Sequence, residues 1–196
     1  MWILNKILLT TLAVLTLPPC HARAQDTSWN YVRTVTSSLA LSAVPGYPVD
    51  TSLGRGLRTG SATAMLSGGG VTGYTYSAVY YDSRHNVAQV RATNVLGGVD
   101  VTCTSYSYTG KPLGVRTVHT GGTDSVVTVR AFAYDGRDRP LSVTHSVNGS
   151  APVTLASYTY DALGRVAAKT TGGLETTTYT YNIQSWPTKI SGQRFT

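Results

Sequence analysis

The chain has 196 residues, with 16 lysines and arginines against 9 aspartates and glutamates, and charged residues make up only 13% of it. That share is about half the usual one for a soluble domain, and it excludes both a charge-driven disordered chain and a coiled coil. Thirty threonines, 18 serines, 20 glycines and 13 tyrosines against 2 phenylalanines point instead to pleated, half-buried β structure.

The first element is an export signal. Lys6 precedes an apolar run from Ile7 to Leu17, which Pro18 and Pro19 end. A run of 17 − 7 + 1 = 11 residues is too short for a bilayer, which takes roughly 20, so no membrane span is expected once the signal is removed. Ala22-Arg23-Ala24 supplies the small-x-small pattern of a signal-peptidase site. The layout predicts a helical signal peptide over 1–24, cleavage after Ala24, and a protein that is secreted or held at the cell surface. A buried helix fits this layout less closely, and a lipoprotein reading through Cys20 meets Pro19 where a small residue belongs. Cleavage leaves 14 bases against 9 acids, a net charge of +5. The arginines are scattered and not clustered, so no nucleic-acid face is expected. Cys103 then has no disulfide partner and is expected to pack in a strand as a small hydrophobe.

Residues 25–73 read as an irregular β and loop segment. Trp29 to Val35 suits one strand, while Ala43 to Gly70 is rich in Gly, Ser and Pro. Gly54-Arg55-Gly56-Leu57-Arg58-Thr59-Gly60 has the outline of a nucleotide loop, but Thr59 stands in the third glycine's place, so these are read as turn glycines. Ser67 to Gly70 reads as a hairpin tip or a joint.

From 74 to 190 the sequence repeats. Five segments carry an aromatic pair followed by turn residues, and the last aromatics are Tyr81, Tyr108, Tyr134, Tyr160 and Tyr181, at steps of 27, 26, 26 and 21. Each unit reads as two short strands joined by a tight turn. In the fourth, Tyr158 and Tyr160 alternate with Ser157 and Thr159, placing both rings on one face. Asp161 can bond the backbone ahead of it, and Gly164 can take the left-handed conformation. Arg165 to Lys169 returns as a strand, and Thr171-Gly172-Gly173 turns into the next unit. Asp82, Asp135 and Gly110 are read in the same turn role. From Val126 to Asp135 small aliphatics (Val127, Val129, Ala131, Ala133) alternate with bulkier residues (Thr128, Arg130, Phe132, Tyr134), which suggests a curved wall lined on one face and wetted on the other. Single hairpins are barely stable in water, so neighbours must share a surface. Tyrosines stacked in register, including Tyr179 and Tyr181, would supply it at about 0.2–1 kcal/mol per pair.

Tyr158-Thr159-Tyr160-Asp161-Ala162-Leu163-Gly164-Arg165 resembles the YD repeat of RHS proteins, with its Tyr-x-Tyr-Asp-x-x-Gly-Arg pattern complete. The stretch around Tyr81, Asn94-Val95-Leu96-Gly97-Gly98 and Tyr108-Thr109-Gly110-Lys111-Pro112-Leu113 is similar to the N-terminal part of RHS-repeat proteins exported by Bacteroidota, and Tyr181-Asn182-Ile183-Gln184-Ser185-Trp186 resembles the same group. Units two and five lack the aspartate, with Thr109 and Asn182 aligned to it. The resemblance implies an all-β fold in which tandem hairpins form an open, curved strip of antiparallel sheet. It also implies a shell that encloses or presents a C-terminal effector or toxin region. Nothing in the tail 191–196 matches a closing segment or a cargo domain, so the expectation is the truncated start of a longer chain. Its partners would be the remaining RHS and effector region and the cell envelope.

Neither a catalytic nor a cofactor motif emerges. Glu175 is the sole glutamate, His85, His119 and His145 lie far apart, and there is no Gly-x-Ser-x-Gly elbow and no metal-binding spacing. No enzyme activity, cofactor or metal is expected. Asn148-Gly149-Ser150 fits a glycan acceptor, but Asn-Gly is foremost a hairpin turn. An adhesive module holding glycan or protein on exposed tyrosines is the alternative function.

Overall fold

The computed structural model describes residues 39–52 and 56–193. The expected signal peptide with Ala22 and Ala24, the expected strand Trp29 to Val35, Gly54 and Arg55 of the glycine loop, and the last three residues lie outside the described residues.

Eleven strands run in chain order: β1 (Gly60–Ser67), β2 (Gly70–Tyr81), β3 (Val87–Thr93), β4 (Val99–Tyr106), β5 (Pro112–Gly121), β6 (Asp124–Tyr134), β7 (Pro140–Val147), β8 (Val153–Tyr160), β9 (Val166–Thr171), β10 (Glu175–Tyr181) and β11 (Pro187–Ser191). Each pairs antiparallel with the next, giving one open meander from β1 to β11. The all-β strip of tandem hairpins expected from the sequence is what forms. It begins at Gly60, so the segment taken as irregular to residue 73 contains β1 and the start of β2, and Ser67 to Gly70 is a hairpin tip. Among the described residues no helix is long and apolar enough to cross a membrane.

The two ends of the strands differ in turn chemistry at all turns but the Asn94 loop between β3 and β4. At one end, Gly68-Gly69, Asn148-Gly149 and Gly172-Gly173 each place two successive residues at positive φ. This is the twist-matched hairpin turn that Asn-Gly and Gly-Gly favour. At the other end lie the Tyr-Asp turns, each preceded by a register shift at its tyrosine: Tyr80/Tyr81, Ser105/Tyr106, Ala133/Tyr134, Thr159/Tyr160 and Thr180/Tyr181.

Among the described residues the buried positions are confined to Leu39, Thr59, Gly60 and β2–β4. There residues 39–52 strap one face: the Tyr80 hydroxyl donates to the Leu39 carbonyl (2.7 Å), Gln89 Nε2 donates to the Ser42 carbonyl (3.0 Å) and Asp50 N–H to the Tyr81 carbonyl (2.8 Å). Cys103 is buried opposite Gln89, as the sequence led one to expect, and burial pushes its thiol pKa up. Beyond the strap the sheet is a single layer among the described residues. Ala131 and Ala133 are exposed while Phe132 and Tyr134 are half-buried, so β6 has no lined aliphatic face of the kind its alternation suggested.

Candidate functional site

The residues that recur in the sequence converge on the Tyr-Asp end of the sheet. Five turns there share one geometry, starting at Asp82, Ser107, Asp135, Asp161 and Asn182. In each, the first residue's N–H donates to the carbonyl four residues on, and the N–H three residues on donates back to its carbonyl. The fourth residue must then take positive φ, as it does at His85 (67°), Gly110 (81°), Asp138 (60°), Gly164 (88°) and Ser185 (65°). The first side chain locks the loop. Asp161 Oδ1 accepts the N–H groups of Leu163 (3.0 Å) and Arg165 (2.8 Å), and Asp135 Oδ1 does the same for Arg137 and Arg139. Asn182 substitutes for aspartate in the fifth unit through Gln184 and Trp186, and Ser107 Oγ takes one N–H, that of Lys111, and pairs with the Thr109 hydroxyl. Asn94, at the opposite end of the strands, builds the same loop over Leu96 and Gly98.

The second unit therefore sits two residues earlier than expected. Tyr106 ends its strand and Ser107 starts its turn, whereas Tyr108 lies within the loop and is 87% exposed. The chain offers Tyr-Ser-Tyr-Thr-Gly at this point, and the glycine decides the register: Gly110 must fall three residues after the turn's first residue, as Gly164 does after Asp161.

Each strand-ending tyrosine then clasps the strand before it. The Tyr81 hydroxyl donates to the Arg58 carbonyl (2.6 Å), Tyr106 to Val87 (3.0 Å), Tyr134 to Pro112 (3.0 Å), Tyr160 to Pro140 (2.7 Å) and Tyr181 to Val166 (2.9 Å). Four of these acceptors are the first residues of β3, β5, β7 and β9, so each clasp ties one Tyr-Asp hairpin to the previous one. Tyr81 is buried and Tyr134, Tyr158, Tyr160, Tyr179 and Tyr181 are half-buried.

The clasp tyrosines do not stack on one another across hairpins as expected; the ring contact that does form, Tyr74 with Tyr76 at 6.3 Å, lies within β2. The clasp tyrosines lie on every second strand, about 9–10 Å apart at the usual strand spacing, beyond the 4.5–7 Å of ring contacts. Arginines fill the interval: Arg139 lies 4.2 Å from the centre of the Tyr160 ring and Arg165 lies 4.7 Å from that of Tyr181. Both guanidiniums also hold their own turn, through Asp135 and Asp161 respectively at 2.6 Å. Arg165 reaches on to the Asn182 carbonyl (3.1 Å), so it joins two turns. Arg84 serves the first interval, over Tyr108 at 4.5 Å and on the Tyr108 carbonyl at 3.1 Å. Of these cations only Arg165 was singled out from the sequence; Arg84, Arg139 and the acceptor carbonyls carried no motif of their own.

These contacts shift the turn carboxylates downward. The backbone N–H of Arg139 is the main cause for Asp135. For Asp161 desolvation pushes up, and the hydrogen bonds from the Arg165 side chain and backbone outweigh it. Asp82 behaves likewise through Asn86. Tyr160 is pushed up by desolvation. A cleft of about 730 Å³ lies between residues 46–51 of the strap and the first two turns. Its Asp50, Asp82 and Arg84 side chains are each bonded within the strap or to the turns. The arrangement is a chain of interlocked turns whose polar atoms face one another.

No protein-family model matches the chain. No curated protein matches it either. Among solved structures it is similar to a chain in the crystal structure of TcdB2-TccC3, with a TM-score of 0.34 and 14% identity over 69% of this chain and 9% of that one. The structure of TcdB2-TccC3-Cdc42 gives a TM-score of 0.33 and 14% identity over 68% and 9%. The chain thus spans less than a tenth of the length of the solved chains it is similar to.

Proposed function

We propose that this chain is an exported structural segment of RHS type: a strip of YD hairpins that forms part of a β-sheet wall and carries no catalytic activity of its own. The observation that supports this reading is the clasp repeated in one geometry from Tyr81 to Tyr181, which commits the signature tyrosines and aspartates to holding hairpin against hairpin. A tyrosine whose hydroxyl is bonded to backbone and whose ring is covered by a guanidinium has little left to offer a glycan. In a longer protein the wall would enclose or present an effector region, and that region and the cell envelope are the partners this reading implies.

Expression with the native leader, followed by mass spectrometry of the exported product, tests the first half; a mature chain starting at Gln25 is expected, and a retained Met1 would overturn export. The wall role is tested with Tyr106, Tyr134, Tyr160 and Tyr181 all changed to Phe. Loss of cooperative unfolding is expected, and wild-type stability would count against the clasp as the wall's bond.

A further inference from the structure

We propose that Asn148-Gly149, at the tip of the β7–β8 hairpin, is a self-modification site that the folded turn holds latent. When the hairpin opens, the Gly149 backbone nitrogen attacks the Asn148 side-chain amide, and the isoaspartate that results keeps the hairpin from closing again.

The chemistry lies in the dipeptide. Gly149 carries no Cβ to shield its nitrogen, and among the described residues no acceptor holds its N–H. Of the six asparagines in the chain only Asn148 precedes a glycine; the others precede Lys6, Tyr31, Val87, Val95 and Ile183. Asn148, Gly149 and Ser150 are all exposed, so water reaches the site. In the reaction the Gly149 nitrogen bonds to Asn148 Cγ and gives up its proton to a solvent base, while the side-chain nitrogen leaves as ammonia. A water then opens the five-membered imide at one of its two carbonyls. Opening at the former side-chain carbonyl gives aspartate. Opening at the main-chain carbonyl gives isoaspartate, whose chain runs on through the side chain. The net change consumes one water and releases one ammonia, with no oxidation.

The fold withholds this step. Asn148 and Gly149 both stand at positive φ, 49° and 75°. Ring closure needs the Gly149 nitrogen turned toward the Asn148 Cβ, and the left-handed backbone turns it away. The side chain is tied as well: Asn148 Oδ1 accepts the Val127 N–H (2.8 Å) while the Asn148 N–H donates to the Val127 carbonyl (2.7 Å). Ser150 closes the other side, its N–H donating to the Val147 carbonyl (2.9 Å) and its Oγ accepting the Val147 N–H (3.1 Å). The Gly172-Gly173 turn makes the same backbone bond, from the Gly172 N–H to the Leu155 carbonyl (2.8 Å), with no side chain to lose. At Asn148 the tie to the preceding strand is doubled by the group that reacts. Isoaspartate lengthens the main chain by one atom and removes the Oδ1 acceptor, so β7 and β8 no longer meet in register. Each opening that reacts is then permanent.

The full chain is incubated at mildly alkaline pH, native and in urea, and peptide mapping by mass spectrometry follows aspartate and isoaspartate at position 148. Conversion should be at least about tenfold slower in the native chain, which reacts only through its open fraction. Ser150→Ala, which loosens the turn and leaves the reacting atoms unchanged, should speed the native reaction and leave the rate in urea as it was. The purified isoaspartate form should lose hydrogen-exchange protection on β7 and β8. Asn148→Asp, which keeps an acceptor for the Val127 N–H, should retain it. Equal rates in the native chain and in urea, no conversion in urea, full protection in the isoaspartate form, or equal loss of protection in Asn148→Asp would each overturn the inference.

Discussion

Tyr160 donates its hydroxyl to the carbonyl of Pro140 at 2.7 Å, bridging two hairpins whose turns are chemically alike. The bond closes where the β8–β9 ladder slips, because the register shift at Thr159/Tyr160 displaces the tyrosine from regular pairing. The bulge thus aims a side chain at a carbonyl of the neighbouring strand's first residue, a use bulges commonly serve.

Removing that hydroxyl isolates its contribution. Tyr160→Phe should destabilise the chain by about 0.5–1.5 kcal/mol, since the ring and its Arg139 contact stay in place and only a hydrogen bond is lost. Tyr108→Phe, in the exposed loop position, should fall within about 0.5 kcal/mol of the parent. Urea unfolding of the two variants side by side checks the difference; equal costs would mean that the clasp contributes nothing.

The fourth turn residue is sensitive in both directions. A Cβ at Gly164 would sit 2.9 Å from Arg139 Nη1, besides being forced to φ 88°. At Gly110 the space is open and only the φ of 81° opposes a side chain. Gly110→Ala should cost about 1–2 kcal/mol, from the left-handed backbone alone, and Gly164→Ala more. Ser185→Gly, which relieves φ 65° at the equivalent position, should raise the melting temperature.

Acid should loosen the Tyr-Asp end first. Asp82, Asp135 and Asp161 all have native pKa values below their ordinary ones. A carboxylate whose pKa is lowered by folding contributes stability that is complete above its unfolded value of about 3.9. That contribution is lost as the pH falls from there through the lower native value. Unfolding midpoints measured from neutral pH downward should therefore stay level until about pH 4–5 and then drop. Asp135→Asn keeps a side-chain acceptor of the kind Asn182 supplies, so it should shrink the acid-dependent part of the curve while leaving the turn formed. A curve of unchanged steepness would show that Asp135 is not among the groups responsible.

Cys103 should be silent until the sheet opens. It is fully buried, its Sγ accepts from Gln89 Nε2 at 3.4 Å, and burial keeps the thiol protonated to higher pH than usual. With Cys20 replaced by Ser, a thiol-reactive dye should label the native protein at the rate of global or sub-global opening of β2–β4, and immediately in denaturant. Fast native labelling would contradict the strap's coverage of that face.

Much of this was legible in the residues themselves. Tyr158 to Arg165 carries strand period, turn acceptor and left-handed glycine in eight positions, and Asn148-Gly149 announces its turn without help from elsewhere. The second unit is harder, because Ser107 replaces aspartate and two tyrosines compete for the strand end; only the distance to Gly110 separates them. The clasp acceptors could not be found by pattern, since Arg58, Val87, Pro112, Pro140 and Val166 act through their carbonyls, which every residue has. The arginine layer has no signature in the repeat, because the two-strand interval that keeps the tyrosine rings apart is set by the folded sheet and not by the spacing along the chain. The strap was missed because Leu39 to Ser52 has no period, and its contacts are set by the sheet it lies on.

The placement of all five clasp turns at one strand end carries an evolutionary corollary. Inserting or losing a pair of strands shifts the downstream array by one whole module and leaves every remaining clasp tyrosine with a backbone acceptor. Losing one strand alone would carry all later tyrosines to the opposite end and break the sequence of clasps at the junction. Length variation in such a chain should therefore be quantised in hairpins, with the steps between clasp tyrosines (25, 28, 26 and 21 residues from Tyr81 to Tyr181) absorbing the slack within each module.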